Sequence, residues 1–378
     1  MFKIEIKFIT LIRKKQRLFL LHVISFIIII LCYNSLVFSQ EVPTVMYDRK
    51  IFISVDYTFN NEGLYKPYQI REIPKTREKV VLDFGNVCFY VFSHNGKFIR
   101  KIGRVGQGPG DMLIPTYFDV DANGDIYVYE HGNKRISIFA KNGKFINSFR
   151  VGSVSRPNKA NLFVTQEREI LINIPSRGYF ITVFSRDGEV LQEIGEIPNE
   201  NSDPSINAMM SSGTPFKHKD GNYYIFLEAL HIVKIFNESG VTIREKKLDE
   251  IFSYLPSKKN IAKSINDLKR LLVYVSETKI TGVASASFFW DIIYRNNKIY
   301  VLPIRQYLGS EIDENQYFIF VLNEDLEIER KIILPLNVKL QGPGIFIYKN
   351  CFEVLPETED VLFPFREGAE IYLFTKNH

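Results

Sequence analysis

The sequence predicts an all-β fold built from repeated four-stranded antiparallel sheets. Three observations support this: a high aromatic content, a hairpin pattern that recurs along the chain, and very little helical periodicity. Of the 378 residues, 14% are aromatic, including 31 Phe and 20 Tyr, and such side chains suit the half-buried surface of a strand. The composition, 46% hydrophobic and 24% charged, is that of a globular protein.

The recurring unit is a β-hairpin. Each copy has an apolar run that ends in Phe or a similar residue, a polar turn that usually contains Asn-Gly, Asp-Gly or Ser-Gly, and a second alternating run. The copies are "YVFSHNGKFIRKIG" (90–103), "ISIFAKNGKFINSF" (136–149), "ITVFSRDGEVLQEI" (181–194), "VKIFNESGVTIREK" (233–246) and "IFVLNEDLEIERKI" (319–332). The turn glycines Gly96, Gly143, Gly188 and Gly240 are 47, 45 and 52 residues apart.

A second hairpin precedes the first within each repeat. The second repeat predicts strands at about 117–120, 125–130, 135–139 and 145–150. Four short antiparallel strands in each repeat are typical of a β-propeller blade. Five complete hairpins and the final "IYLFTKNH" predict six blades if residues 46–55 supply the outermost strand of the last blade, which would close the ring. A linear stack of independent hairpins is the alternative.

One segment departs from the strand pattern. Residues 257–275, "SKKNIAKSINDLKRLLVYV", follow Pro256 and carry apolar residues at helical spacing. They predict an amphipathic helix inserted between two blades. This helix would cap the central channel or cover hydrophobic surface.

Residues 1–39 predict an export signal. A basic stretch ends at Arg17, an apolar run follows, and Val37 and Ser39 stand three and one residues before a cleavage at Gln40. The apolar run is also long enough for an uncleaved membrane anchor, and a third possibility is lipidation of Cys32, although Leu31 is not the small residue expected before it. Each alternative exports the chain to the periplasm or the cell surface. Residues 40–378 are then expected to form a single propeller domain, a monomer that meets a membrane only through the N-terminal segment.

The charge balance argues against a nucleic-acid partner. The N-terminal segment holds six of the 48 basic residues and one of the 43 acidic residues, which leaves a net charge of zero on the rest. Binding to a phosphate backbone needs a basic excess, so no nucleic-acid partner is expected. Two cysteines remain after cleavage, Cys88 and Cys351. A disulfide between them would join the two ends of the domain, and two buried free thiols are the favoured alternative.

The glycine-rich stretch "GRVGQGPGDM" (103–112) predicts a connector between blades. Its Gln-Gly-Pro-Gly recurs at 341–344, also after an outer strand. A phosphate-binding loop needs a helix directly after its glycines, whereas a strand is predicted here. Such a connector still presents backbone N–H groups near the central channel.

The segments "NGKFIRKIGRVGQGPGDM" (95–112) and "FDVDANGDIYVYEHGNKRISIF" (118–139) resemble the secreted six-bladed β-propellers of Bacteroides-type bacteria, which are related to NHL-repeat propellers. Members of that family also follow an outer strand with a Gly-x-x-Gly-Gln-Gly-Pro-Gly connector. The resemblance is close over 88–150 and weaker over the other blades, and the N-terminus lacks the clear lipidation cysteine of many members. It implies the fold and export, and it implies neither a settled reaction nor a catalytic motif.

A binding site is expected on one face of the ring. Loops between the second and third strands, and between blades, are long and chemically varied, whereas the other turns are minimal. Binding sites collect on loops that a rigid frame holds, although these loops could also only pack the top of the ring. The candidate ligand-binding residues are Arg104, Gln107, Asp111, His131, Arg135, Arg177, His231, Arg305 and Arg366.

Two functions are consistent with the sequence. The first is a non-enzymatic binding or scaffold module for a glycan, a peptide or an envelope protein, with no catalytic residue and no cofactor. The alternative is a metal-dependent enzyme of the lactonase or lyase kind, which needs carboxylate and amide side chains from several innermost strands in the channel. Asp119 and Asp291 are the obvious channel acids, and calcium could also bind Glu311, Asp313 and Glu314. No Gly-x-Ser-x-Gly elbow is present to indicate a serine hydrolase.

Overall fold

The computed structural model describes residues 42–53, 63–153, 162–199, 204–252, 289–303, 316–335, 352–365 and 370–376. The chain divides into two units, residues 1–43 and 44–378, and the first is described only at Val42 and Pro43. The predicted helix at 257–275 and the second glycine motif at 341–344 lie outside the described residues. No helix within the described ranges is long and apolar enough to cross a membrane.

The described part of the second unit is built mainly of strands. In chain order they are β1 (Thr44–Ile53), β2 (Pro67–Glu72), β3 (Lys79–Asp83), β4 (Cys88–Phe92), β5 (Phe98–Ile102), β6 (Pro115–Val120), β7 (Ile126–Glu130), β8 (Arg135–Phe139), β9 (Phe145–Arg150), β10 (Leu162–Val164), β11 (Ile170–Ile172), β12 (Tyr179–Phe184), β13 (Val190–Glu196), β14 (Thr214–Lys217), β15 (Tyr223–Leu227), β16 (Ile232–Phe236), β17 (Thr242–Lys247), β18 (Phe289–Arg295), β19 (Lys298–Pro303), β20 (Gln316–Leu322), β21 (Ile328–Pro335), β22 (Glu353–Val354), β23 (Val361–Phe365) and β24 (Glu370–Lys376). The helical elements are a 3-10 turn (Pro175–Arg177), α1 (Pro204–Met210) and α2 (Leu248–Ile251).

The first four blades are separate antiparallel sheets, formed by β2–β5, β6–β9, β10–β13 and β14–β17 in that order. The strands of the second blade agree with the four predicted from the sequence. The turns of the outer hairpins carry glycines in the left-handed region, with φ between +79° and +93° at Gly96, Gly143, Gly188 and Gly240. L-residues with a side chain rarely adopt this conformation, so these glycines fix the hairpin geometry.

The fifth and sixth blades are joined by β1 into one eight-stranded sheet with the order β18-β19-β20-β21-β1-β24-β23-β22. β1 pairs antiparallel with β24, from Tyr47 opposite Lys376 to Ile53 opposite Ile371. The prediction that residues 46–55 supply the outermost strand of the last blade is therefore confirmed. Residues 44–46 also pair in parallel with residues 331–333 of β21, a contact that the sequence did not predict.

Burial follows the position of a strand within its blade. The inner and middle strands, such as β3 and β7, are buried over their whole length because each blade packs against a neighbour on both faces. Outer strands such as β5 alternate between exposed and partly buried residues. Aromatic rings fill the space between blades. Phe89 of the first blade meets Phe118 of the second edge to face at 5.0 Å between ring centroids.

A buried polar side chain marks the end of the second strand in each of the first four blades. Each of these side chains accepts a hydrogen bond from a backbone N–H at or next to the start of an innermost strand, which fixes the connecting loop. The acceptor and donor pairs are Asp83 with Lys66 (3.1 Å), Glu130 with Leu113 (3.0 Å), Asn173 with Gly213 (3.0 Å) and Glu228 with Phe289 (3.2 Å).

Candidate functional site

The strand order defines two faces of the propeller. The loop face is the side at which the innermost strands begin, and it carries the loops between the second and third strands and the connectors between blades. The turn face is the opposite side, where the innermost strands end in short turns. All the described candidate residues belong to loops of the loop face or to strand ends beside them.

The connector at 103–112 folds back on itself on the loop face. Val105 and Met112 form a parallel bridge, and Gly106 N donates to the carbonyl of Met112 at 2.9 Å. Arg104 Nε donates to Asp111 Oδ1 at 2.7 Å, while Asp111 Oδ2 accepts from Gly108 N at 3.1 Å. The hydrogen bond from Arg104 holds the pKa of Asp111 below its usual value.

Arg135, at the start of β8, binds this connector through its guanidinium group. Its guanidinium donates to the carbonyls of Gln107 (3.0 Å), Gly108 (3.1 Å) and Asp111 (2.8 Å), and its Nε donates to Glu130 Oε1 at 2.8 Å. The structure therefore brings four predicted residues together, namely Arg104, Gln107, Asp111 and Arg135. Their contacts build the connector, and the Arg104 side chain is 81% exposed. A strand, β6, follows the connector as predicted.

The two candidate histidines occupy corresponding loops of the second and fourth blades, each after the second strand of its blade. His131 donates its backbone N–H to the carbonyl of Ile114, and burial, followed by the charge of Lys134, lowers the pKa of its imidazole. His231 has a left-handed backbone (φ +62°), and its Nε2 lies 3.5 Å from Asp249 Oδ1 in α2. The side chain of His231 is buried beside α2, whereas that of His131 is half-buried.

A cleft of about 480 Å³ opens on the loop face at the third blade. One wall is the 3-10 turn with Gly178 and Tyr179, and the other is the connector 196–199 with α1. The carbonyl of Gly178 accepts from Ile197 N at 3.0 Å and fixes the two walls to each other. The lining residues are Pro175, Ser176, Arg177, Gly178, Tyr179, Glu196, Ile197, Pro198, Asn199, Pro204, Asn207 and Ala208.

Arg177 is the predicted residue that lines this cleft. Its Nε and Nη2 contact Glu193 Oε1 at 2.8 and 2.7 Å, so its charge is already paired. The sequence indicated both walls only as members of two loop classes, the loops between the second and third strands and the connectors between blades. It did not predict α1, because seven residues are too few to show helical periodicity, although Pro204 at the first helical position is a usual start signal.

A charged cluster that the sequence did not predict lies on the propeller axis. Arg295 of the fifth blade donates to Glu353 at 2.9 Å and reaches Asp119 of the second blade at 3.2 Å. Arg71 of the first blade lies 3.5 Å from Asp119 and 3.7 Å from Glu353. Burial opposes the charge of Arg295, but Glu353 and Asp119 raise its pKa above the usual value. We call Arg71, Asp119, Arg295 and Glu353 the axial cluster.

Aromatic rings fill the axis on the other side. Phe216 of the fourth blade stacks on Tyr294 of the fifth at 5.0 Å between centroids, and Phe163 of the third blade lies 6.3 Å from Tyr294. Side chains from the innermost strands of all six blades therefore meet at this level. The axis is occupied by paired charges on one side and by packed rings on the other.

The axial carboxylates do not fit a metal-binding site. Asp119 and Glu353 each lie within 4 Å of two guanidinium groups, and Asp119 Oδ2 also accepts from Val164 N at 3.0 Å. Asp291 lies on β18, where its Oδ1 accepts from Ile292 N at 2.9 Å. Among the described residues, no group of three or more His, Cys, Asp or Glu side chains could hold a metal ion.

Several predicted residues cannot be placed. Arg305, Arg366, Cys351 and the acids Glu311, Asp313 and Glu314 lie outside the described residues. Cys88 is buried in β4.

Comparison with known proteins identifies the family. The family model DUF5128, described as 6-bladed beta-propeller, matches residues 66–270, which is more than half of the chain. The chain belongs to this family of six-bladed β-propellers. A search of curated proteins finds no match.

Solved structures show the same fold. A member of the DUF4221 family from Bacteroides vulgatus is 14% identical with a TM-score of 0.53, over 89% of this chain and 99% of that chain. A protein named as exported from Bacteroides fragilis is 14% identical with a TM-score of 0.51, over 88% and 98%. A catalytically inactive virginiamycin B lyase from Staphylococcus aureus with quinupristin is 12% identical with a TM-score of 0.45, over 87% and 99%. The first two structures show a shared fold, and at 14% identity they show the fold alone.

Proposed function

We propose that this propeller is an exported, non-enzymatic binding or scaffold protein that recognises a glycan, a peptide or an envelope protein through its loop face. The observation that carries the proposal is the contrast between the two places where a propeller can hold a ligand. The loop face has an open cleft of about 480 Å³ lined by mixed polar and apolar groups. The axis, by contrast, carries the axial cluster, whose charges are paired with one another, and stacked aromatic rings.

This contrast also weighs against the metal-dependent alternative. A lactonase-like site needs carboxylates that can turn their oxygens toward a cation. Here two arginines from the first and fifth blades already neutralise the two axial carboxylates. A cation would have to displace both guanidinium groups from a buried position, which leaves them without partners.

Export is supported by the N-terminal pattern and by the fold relatives. The basic stretch, the apolar run and the small residue at Ser39 are the parts of a secretory signal. The structural relative from Bacteroides fragilis is also named as exported. Expression of the full chain, fractionation of the cells and N-terminal sequencing of the product test this directly. We expect an envelope protein that begins at Gln40, and a cytoplasmic product that keeps Met1 would contradict export.

Binding is tested with the exported protein immobilised against a glycan array and a detergent extract of cell envelopes. Two charge reversals make a matched pair: Arg177→Glu lines the cleft on the loop face, and Lys97→Glu is in a turn of the first blade on the turn face. We expect a retained glycan or protein, with retention weakened by Arg177→Glu and unchanged by Lys97→Glu. The absence of any retained ligand, or weakening by Lys97→Glu alone, would overturn the proposal.

A further inference from the structure

The residues that line the cleft at the third blade indicate the chemistry of its ligand. Its lining combines five apolar residues, three of them proline, with hydroxyl, amide, carboxylate and guanidinium groups. Because proline has a fixed φ, the walls at Pro175, Pro198 and Pro204 lose little freedom when a ligand binds. The site is therefore a rigid, partly apolar surface with polar groups at its margin.

The charges of the cleft do not favour an ionic ligand. Arg177 is paired with Glu193 on the neighbouring strand. The carboxylate of Glu196 is exposed and has no basic partner in the described part of the chain. Among the described lining residues, a negatively charged ligand would meet Glu196 and an arginine that is already paired, and a cation would meet the single carboxylate of Glu196.

The remaining polar groups suit a ligand rich in hydroxyls. The amides of Asn199 and Asn207 are joined by a hydrogen bond of 3.1 Å, from Asn207 Nδ2 to Asn199 Oδ1, which orients the exposed Asn199 amide. An amide both donates and accepts hydrogen bonds, as do the hydroxyls of Ser176 and Tyr179, and a sugar hydroxyl does the same. The apolar faces of proline, Ile197 and the Tyr179 ring match the C–H faces of a sugar ring.

We infer that this cleft binds a neutral oligosaccharide, with Tyr179 and Asn199 as its principal contacts. The inference rests on the proposed binding function and makes it specific. A peptide that adds a strand is less well matched, because the cleft lies at the ends of β12 and β13, at Tyr179 and Glu196, whereas strand addition would use the outer edge of β13 along its length.

The test is isothermal titration of the exported full-chain product with soluble hexasaccharides. The neutral probes contain glucose, mannose, galactose or N-acetylglucosamine, and a galacturonic acid hexasaccharide is the charged probe. We expect at least one neutral probe to bind, and the charged probe to bind at least ~10-fold more weakly or not at all. Equal or tighter binding of the charged probe would overturn the inference.

Variants of the cleft make the test specific. We expect Asn199→Ala to weaken binding about 10-fold and Tyr179→Ala to weaken it further, while Tyr179→Phe keeps most of the affinity because the ring remains. The control is Asn123→Ala, an exposed asparagine in a turn of the turn face, which should leave binding unchanged. Thermal melting of each variant shows that the protein remains folded.

The outcomes distinguish failure of the cleft assignment from failure of the proposed binding function. Saccharide binding that survives both Asn199→Ala and Tyr179→Ala would overturn the cleft assignment and leave a loop-face binding function. Retention of an envelope protein without any saccharide binding would have the same meaning. A protein that retains nothing from either source would remove both.

Discussion

Neutralising Asp119 tests whether the axial cluster holds the propeller together. The cluster contains two guanidinium and two carboxylate groups, so its net charge is zero. Asp119→Asn leaves two cations facing one anion, although the amide oxygen can still accept from Val164 N. Removal of one partner from a buried ion pair costs about 3–5 kcal/mol of unfolding free energy. Since the Arg295 side chain remains 20% exposed, we expect the lower end, about 3 kcal/mol.

The second substitution restores the balance. Arg295→Met in the Asp119→Asn background removes the excess positive charge and leaves one cation with one anion. We therefore expect Arg295→Met to cost less in the variant than in the original protein, with an interaction free energy of roughly 1–3 kcal/mol. Urea denaturation measured by tyrosine fluorescence and by circular dichroism gives the four free energies at pH 7.

A surface pair provides the comparison. Glu329 contacts Lys298 at 3.0 Å with both side chains about one-third exposed, so Glu329→Gln should cost less than about 1 kcal/mol. Additive effects of Asp119→Asn and Arg295→Met, or a loss for Asp119→Asn no larger than that of Glu329→Gln, would refute the reasoning. A cluster that only sits on the surface of an open channel would give that result.

Three further predictions concern the closing strand, the glycine-rich connector and a pH-dependent contact. Deletion of residues 40–53 removes β1 from both of its partner strands. We expect the backbone amides of β24 to lose their protection from hydrogen exchange, and to regain it when a peptide of residues 44–53 is added. Unchanged protection would contradict the role of β1. Arg135→Ala should lower the unfolding free energy by about 2–4 kcal/mol because buried Glu130 loses its guanidinium partner. Arg104→Ala should leave urea denaturation unchanged, since its side chain is exposed. Equal losses of stability would contradict the role of Arg135 in holding the connector. Burial acts against the charge of Glu359, but Arg330 lowers its pKa overall, so its stabilising effect is complete above the usual pKa of 4.5 and is lost as pH falls through the lowered value. The difference in urea midpoint between the original protein and Glu359→Gln should therefore shrink from pH 7 to pH 3, and a difference that grows would show the wrong sign.

The blades could be predicted because their signals are local. A hairpin turn with glycine and two alternating strands lie within about 14 residues, and the backbone at Gly96 or Gly188 needs no distant contact to be specified. The closing strand was also predictable, since the last hairpin lacked its second half. The parallel pairing of residues 44–46 with β21 was not, because nothing in either segment indicates a second partner.

The axial cluster could not be predicted from local signals. Arg71 and Glu353 are separated by almost the whole domain, and they meet because the ring closes. The sequence does mark both as charged residues within apolar strands, "YQIREI" and "FEVL". The prediction named only acids in the channel, whereas the two arginines of the cluster pair with Asp119 and Glu353 and neutralise their charge.

The cleft was predicted in part. Arg177 and the long connectors between blades were both singled out. Nothing in the sequence indicated that the loop 175–179 and the connector 196–199 would form the two walls of one cleft. The orienting contact between Asn199 and Asn207 depends on the short helix α1, which has no periodic pattern of its own. Side chains of the connector at 103–112 were considered as ligand contacts, whereas Arg135 and Asp111 are engaged with the backbone of the same loop.

The position of β1 also sets the order in which the protein can fold. Its Tyr47 donates a hydrogen bond to the carbonyl of Glu359 at 3.2 Å, a contact between residues 312 positions apart. The earlier blades involve contacts of short sequence separation and can form as soon as their four strands are available. β1, by contrast, can pair with β24 only once the last strands of the chain are available. We therefore expect ring closure to follow the formation of the earlier blades, because a contact of such long sequence separation has a larger closure entropy than a hairpin.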